Sequence, residues 1–211
     1  MAESINTKRA VIIGGGRIAD YVYIKSQIRE GDTVICADSG YDHAVNMGIT
    51  PSVVVGDFDS ISAPPQNVPA ISYPIRKDFT DTEMAIKCAR EQGFIDFLLL
   101  GVTGSRMDHS LTNILMLKDF VRRGEKAVIV DENNKITAVS SRVEINEPPG
   151  TIVSLVPIED CKGVTTEGLS YPLCNADLRM GKGFGVSNVI NCEQAIVKLA
   201  SGVLLVIVAR D

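Results

Sequence analysis

Tryptophan is absent from this sequence, and only two histidines occur, His43 and His109. Neither has a second histidine or a cysteine at ligand spacing, which excludes a histidine-built metal site. Cysteine is sparse. Cys36, Cys88, Cys161, Cys174 and Cys192 form an odd set without a CxxC pair, so neither a disulfide framework nor a zinc ribbon is indicated. They read as small buried thiols in a reducing compartment. Long apolar runs are missing too. The longest, "VLLVIVA" at 203–209, has seven residues, enough for a buried strand and far short of the roughly 20 that span a bilayer. The opening "MAESINTKRAVIIGGG" has no apolar signal-peptide core, so a cytoplasmic protein is expected, with no membrane partner. There is no GxxxxGK[ST], which excludes a P-loop enzyme. A formal net charge of −5 argues against a broad nucleic-acid footprint.

What is present is ordinary globular composition: 211 residues, 45% hydrophobic and 22% charged, sufficient for a core without staples. Up to about residue 130, strand-like and helix-like stretches alternate. "AVIIGGG" (10–16), "TVICAD" (33–38), "SVVVG" (52–56), "FLLLG" (97–101) and "KAVIV" (126–130) read as strands. Helices are expected at 18–29, 40–48, from Thr80 to Gly93, and at 108–123. The third opens on Thr80-x-x-Glu83, a capping box. The fourth carries Leu111, Ile114, Leu115, Lys118 and Val121 as its apolar face. Such alternation implies a parallel sheet covered by helices. After about residue 132 only short strands and glycine-rich turns follow, and "AIVKLASGVLLVIVA" reads as a hairpin around Ser201–Gly202. The expected architecture is a Rossmann-like α/β domain over 1–135, then a smaller all-β sandwich or barrel over 136–211.

Chemistry-bearing residues gather where strands end, which is where open parallel sheets bind ligands. Asp38 ends the second strand. "VVVGDFDSI" (53–61) runs from a buried strand into Asp57 and Asp59, two residues apart and so on one side of an extended chain. Two adjacent carboxylates repel unless a cation lies between them, and a divalent metal is the usual solution. Asp78 and Asp81 stand at the start of the third helix, Arg106 and Asp108 at the start of the fourth, and Lys77 lies close by in sequence. Alone, Asp81 or Asp108 would simply complement a helix dipole. Gly14-x-Gly16-x-x-Ala19 after a strand, with Asp38 at the end of the next, also satisfies a dinucleotide fingerprint. A nicotinamide enzyme leaves Asp57, Asp59, Asp81 and Asp108 unexplained, whereas a phosphate-binding turn for a mononucleotide suits both sets. A haloacid-dehalogenase-type DxD loop is a third reading. Ile61 and the lack of a suitable later Lys–Asp pair weigh against it.

Taken together, "ADSGYDHAVNMG", "PSVVVGDFDSI", "KDFTDTEMAI" and "GVTGSRMDHSLTNI" (37–114) resemble the thiamine pyrophosphokinase family in order and spacing. "TTEGLSYPL" (165–173) and "GVSNVI" (185–190) resemble its thiamine-facing segments. The resemblance implies pyrophosphoryl transfer from ATP to thiamine, giving AMP and thiamine diphosphate, in a homodimer whose sites lie between chains. It implies nucleotide and metal roles for Asp38, Asp57, Asp59, Asp81, Arg106 and Asp108, and a thiamine-side role for Ser187 and Asn188. Gly14, Gly16 and Lys77 join the nucleotide set. Mg²⁺ would be held by Asp57, Asp59 and Asp81, since it prefers hard oxygen ligands. Arg106 offers a planar fork to phosphate. Tyr171 or Phe184 would supply a stacking face for thiamine. His109 either touches ligand or braces its loop, and His43 is expected to be structural. The alternatives are a nicotinamide-dependent oxidoreductase using the Gly14–Ala19 turn and a nucleotide- or thiamine-binding regulator without turnover.

Overall fold

In the computed structural model, which describes residues 8–65, 67–72 and 79–210, the chain divides into two compact units. The first runs to residue 132, and the second comprises residues 133 onward together with 115–123. Lys77 and Asp78 lie outside the described residues.

The first unit contains β1 (Ala10–Ile13), α1 (Tyr21–Ser26), β2 (Thr33–Ala37), α2 (Gly40–Asn46), β3 (Val53–Gly56), β4 (Ala70–Ser72), α3 (Asp81–Glu91), β5 (Asp96–Leu100), the start of α4 (Met107–Arg122) and β6 (Lys126–Val130). Its strands run in the order β4-β3-β2-β1-β5-β6, and every neighbouring pair is parallel. The β-branched and leucine-rich runs are buried on both faces. All four residues of β1 are fully covered, and so are Val54, Val55, Leu99 and Leu100, as central parallel strands require. The five strands read from sequence are present. The extra strand, β4, is only three exposed residues long and carries no apolar pattern to find it by.

Two helices differ from expectation. Helix α1 begins only at Tyr21, capped by the Asp20 side chain, and lasts six residues. Residues 14–20 are therefore loop. Helix α4 lies where expected but is rotated. Leu111 and Leu115 are exposed, while Ser110, Asn113, Leu117 and Phe120 are buried. The physical reason lies in the preceding loop. Asn113 Nδ2 donates to Val102 O at 2.7 Å, and the Ser110 hydroxyl contacts Gly104 and Arg106. Those polar anchors turn inward and take the leucines outward. Helix α3 follows its sequence signal closely: Thr80 and Glu83 form the reciprocal capping box.

The second unit contains β7 (Asn134–Val139), β8 (Arg142–Ile145), β9 (Ile152–Pro157), β10 (Cys161–Glu167), β11 (Ala176–Leu178), β12 (Asn188–Val189), β13 (Ala195–Lys198) and β14 (Leu204–Ala209). Its strands form two antiparallel sets, β7-β14-β9-β12 and β8-β13-β10-β11. Both contribute to one core that includes Val153, Leu155, Val164, Val197 and Leu204. In β9 buried residues alternate with half-buried ones, the period-2 signature of a strand with one face inward. The C-terminal hairpin is a correction: β13 pairs with β8 and β10, whereas β14 pairs with β7 and β9. The chain changes sheet at Gly202, whose φ of +98° marks a bend, and no hairpin turn forms.

Candidate functional site

The site begins with three carboxylates. Asp38, Asp57 and Asp59 each offer an oxygen, and these atoms lie within 4.8 Å of one another. Adjacent strands β2 and β3 bring them together. The Asp38 N–H donates to Val55 O at 2.8 Å, and Asp38 then turns with φ +48°. Gly56 makes that approach possible, because a Cβ there would lie 3.1 Å from the Asp38 Cα. Between the other two acids, Phe58 also takes a positive φ, +65°, a costly conformation for a bulky side chain. The Asp59 N–H donates to Asp57 Oδ1 at 3.2 Å. The Ser60 hydroxyl contacts Asp38 Oδ2 and lies 3.0 Å from Asp59 Oδ1. Asp38 Oδ1 is buried and has no hydrogen-bond partner among the described residues. A buried carboxylate oxygen in that state is costly unless a cation meets it. Three hard oxygen donors at this separation fit a hard divalent cation. Asp81, expected as the third ligand, is not in this group of three; Asp38, expected in the nucleotide set, is.

Next to the cluster lies a cavity of about 460 Å³, within the usual range for small-molecule sites. Its wall includes Gly16, Asp38, Asp81 and Arg106 from the expected set, together with Gly15, Arg17, Ser60, Thr80, Thr103, His109 and Asn113. Gly14, Asp57, Asp59 and Asp108 are not part of the wall. In the glycine turn two N–H groups are taken up by the chain itself. The N–H groups of Gly14 and Gly16 donate to Leu100 O and Gly101 O, at 2.8 and 2.6 Å. A Cβ on Gly16 would lie 2.4 Å from Thr103 O, so glycine is needed there for close backbone packing.

His43 has a definite task, one that its position on a helix did not reveal. Its Nε2 lies 2.7 Å from Gly16 O and its Nδ1 2.8 Å from the Tyr21 hydroxyl. A carbonyl only accepts, so Nε2 carries the proton and Nδ1 accepts from Tyr21. Asn46 Nδ2 in turn donates to the Tyr21 hydroxyl at 3.1 Å. His109, by contrast, is exposed in the cavity wall.

Arg106 and Asp108 form an exposed ion pair, with contacts of 2.6 and 3.3 Å. The hydrogen bond from Arg106 holds the Asp108 carboxyl at about 2, below its ordinary 3.8. Asp108 thus orients Arg106 from outside the wall.

In the second unit, Asn188 is 6% exposed and its amide is committed. Oδ1 accepts from the N–H groups of Tyr171 and Val189, and Nδ2 donates to Tyr171 O at 2.7 Å. Ser187, at φ +60°, donates its N–H to the Ser154 hydroxyl. The Tyr171 and Phe184 side chains are 70% and 69% exposed.

Comparison with known proteins agrees with this division. Residues 24–129 match the thiamin pyrophosphokinase catalytic domain, and residues 140–204 match its vitamin B1 binding domain. The thiamine pyrophosphokinase of Bacillus subtilis is 30% identical over 194 residues, covering 84% of this chain and 87% of that one. The crystal structure of a Bacillus subtilis thiamine pyrophosphokinase superposes with a TM-score of 0.87 at 27% identity, over 97% of this chain and all of the other. The thiamin pyrophosphokinase of Candida albicans, at 18% identity, shares the fold with a TM-score of 0.81 over 97% of this chain and 90% of its own. The nicotinamide alternative gains no support from these matches.

Proposed function

The chain belongs to the thiamin pyrophosphokinase family, and from that premise we propose how its residues share the work. The reaction transfers pyrophosphate from ATP to the hydroxyl of thiamine. The thiamine oxygen attacks the β-phosphorus and the bond from that phosphorus to the oxygen bridging to Pα breaks. AMP keeps the electron pair, and the hydroxyl proton leaves to a base. Such transfers need little covalent help; they need positioning and charge neutralisation.

Residues 1–135 bind ATP and metal, and residues 136–211 bind thiamine. Asp38, Asp57 and Asp59 would hold Mg²⁺, which when bound supplies positive charge to the phosphate oxygens. Arg106 presents its guanidinium to phosphate from the cavity wall, steadied by Asp108. Asp81, at the first turn of α3, lines the same cavity. Tyr171, with both backbone groups fixed by Asn188, offers its exposed ring to the thiamine pyrimidine. The protein acts in the cytoplasm as a homodimer with its sites between chains.

The observation that carries this reading is the buried Asp38 oxygen, without a partner among the described residues, in a three-carboxylate group beside a nucleotide-sized cavity. The test is AMP release from ATP in magnesium, with and without thiamine. AMP that appears only with thiamine supports it. ATP binding without turnover would mean a regulator instead.

A further inference from the structure

Arg17 stands in the cavity wall with Arg106 and His109, and the motifs give it no role. Arg106 already has two of its three guanidinium nitrogens on Asp108. Arg17 makes no hydrogen bond or ion pair with the described residues. Its backbone, however, is fixed on both sides. Gly16, before it, donates its N–H to Gly101 O and receives the His43 Nε2–H on its carbonyl. Gly104 packs so close that a Cβ there would lie 3.0 Å from Arg17 N. After it, Ile18 is buried, and Glu132 accepts the N–H groups of Ala19 and Asp20. The result is a rigid base carrying an uncommitted planar fork at the cavity.

We propose that Arg17 binds the phosphate chain of ATP, and that His43 is a positioning residue that acts through it. This rests on the ATP reading of the cavity. Guanidinium is suited to polyphosphate because it makes paired hydrogen bonds and is always charged. A pre-set backbone lowers the ordering cost of each bond it forms. His43 contributes because its single donor fixes the Gly16 carbonyl. The Tyr21 and Asn46 hydrogen bonds fix which nitrogen of His43 carries the proton.

The test measures the ATP Kd by calorimetry without thiamine, and the KM of both substrates, for five forms of the full chain: wild type, R17K, R17Q, H43F and the double variant R17Q/H43F. R17Q should weaken ATP about 10- to 100-fold, the range for a hydrogen-bonded charged contact, with R17K in between. H43F should weaken it about three- to tenfold. The thiamine KM should stay the same in all of them, which a loosened fold would not allow. The double variant should be no worse than R17Q, because the two effects share one route. Should H43F fold poorly by circular dichroism, Tyr21→Phe probes the same chain and His43→Gln should restore ATP binding by keeping a donor. Wild-type ATP affinity in R17Q overturns the Arg17 assignment. Penalties that multiply in the double variant overturn the His43 route. Absence of ATP binding by the wild type overturns the ATP reading itself.

Discussion

Asp38 in the first unit and Asn188 in the second are both polar side chains beside strand ends, yet their hydrogen bonding is opposite. Every polar atom of the Asn188 amide bonds to its own chain. Asp38 leaves one buried oxygen without a hydrogen-bond partner among the described residues. A satisfied buried amide is a fastener, since removing it strands the groups it held. An unsatisfied buried carboxylate is a seat for something else. The difference separates residues that build a site from residues that fill it, and composition alone does not reveal it.

The sharpest way to break the comparison is to neutralise the seat. Asp59→Asn should reduce turnover by about 10²–10³, the cost of losing one electrostatic contact to the reacting phosphates, with thermal unfolding unchanged. Wild-type turnover would remove Asp59 from the metal set. The fastener should behave in the reverse way. Asn188→Ala should cost about 1–3 kcal/mol of stability by leaving the Tyr171 backbone groups unpaired, seen as a lower Tm. Tyr171→Ala should instead raise the thiamine KM at an unchanged Tm. If Asn188→Ala left Tm alone and changed only KM, the fastener reading would be wrong.

The smallest effect concerns Asp108. Its carboxyl is held at about 2, below 3.8, first by the hydrogen bond from Arg106 and then by the His109 backbone. The shift is downward, so the pair is intact above the unfolded value and is lost as pH falls through about 2. Asp108 therefore contributes no inflection to activity at neutral pH. Carboxyl-carbon NMR should follow it titrating near 2; a midpoint near 4 would mean that the pair is not formed in solution.

The sheet was legible because its strands are continuous apolar runs such as "VVVG" and "FLLL", bounded by glycine. Helix α3 was legible because Thr80 and Glu83 are a local signal. The face of α4 was misread because apolar spacing outweighed Ser110 and Asn113, whose inward direction depends on a loop folding beneath them. The carboxylate group was legible as an acidic sheet edge, but its membership was not. Asp38 joins it through a positive φ and a glycine on the next strand, a tertiary coincidence. Gly14 and Gly16 fitted a phosphate motif, while their N–H groups bond to the last residue of β5 and the residue after it. The motifs that contain Arg17 and His43 give neither a role, and only the path of the chain brings Arg17 to the cavity wall and His43 to the Gly16 carbonyl.

The central claim, proposed from the geometry of the carboxylate group, is that Asp38, rather than Asp81, completes the metal set with Asp57 and Asp59. The most direct test is the magnesium concentration giving half-maximal AMP formation in Asp38→Asn and Asp81→Asn, at saturating ATP and thiamine. The account predicts a clear upward shift for Asp38→Asn and the wild-type value for Asp81→Asn. An upward shift for Asp81→Asn, with Asp38→Asn at the wild-type value, would contradict it.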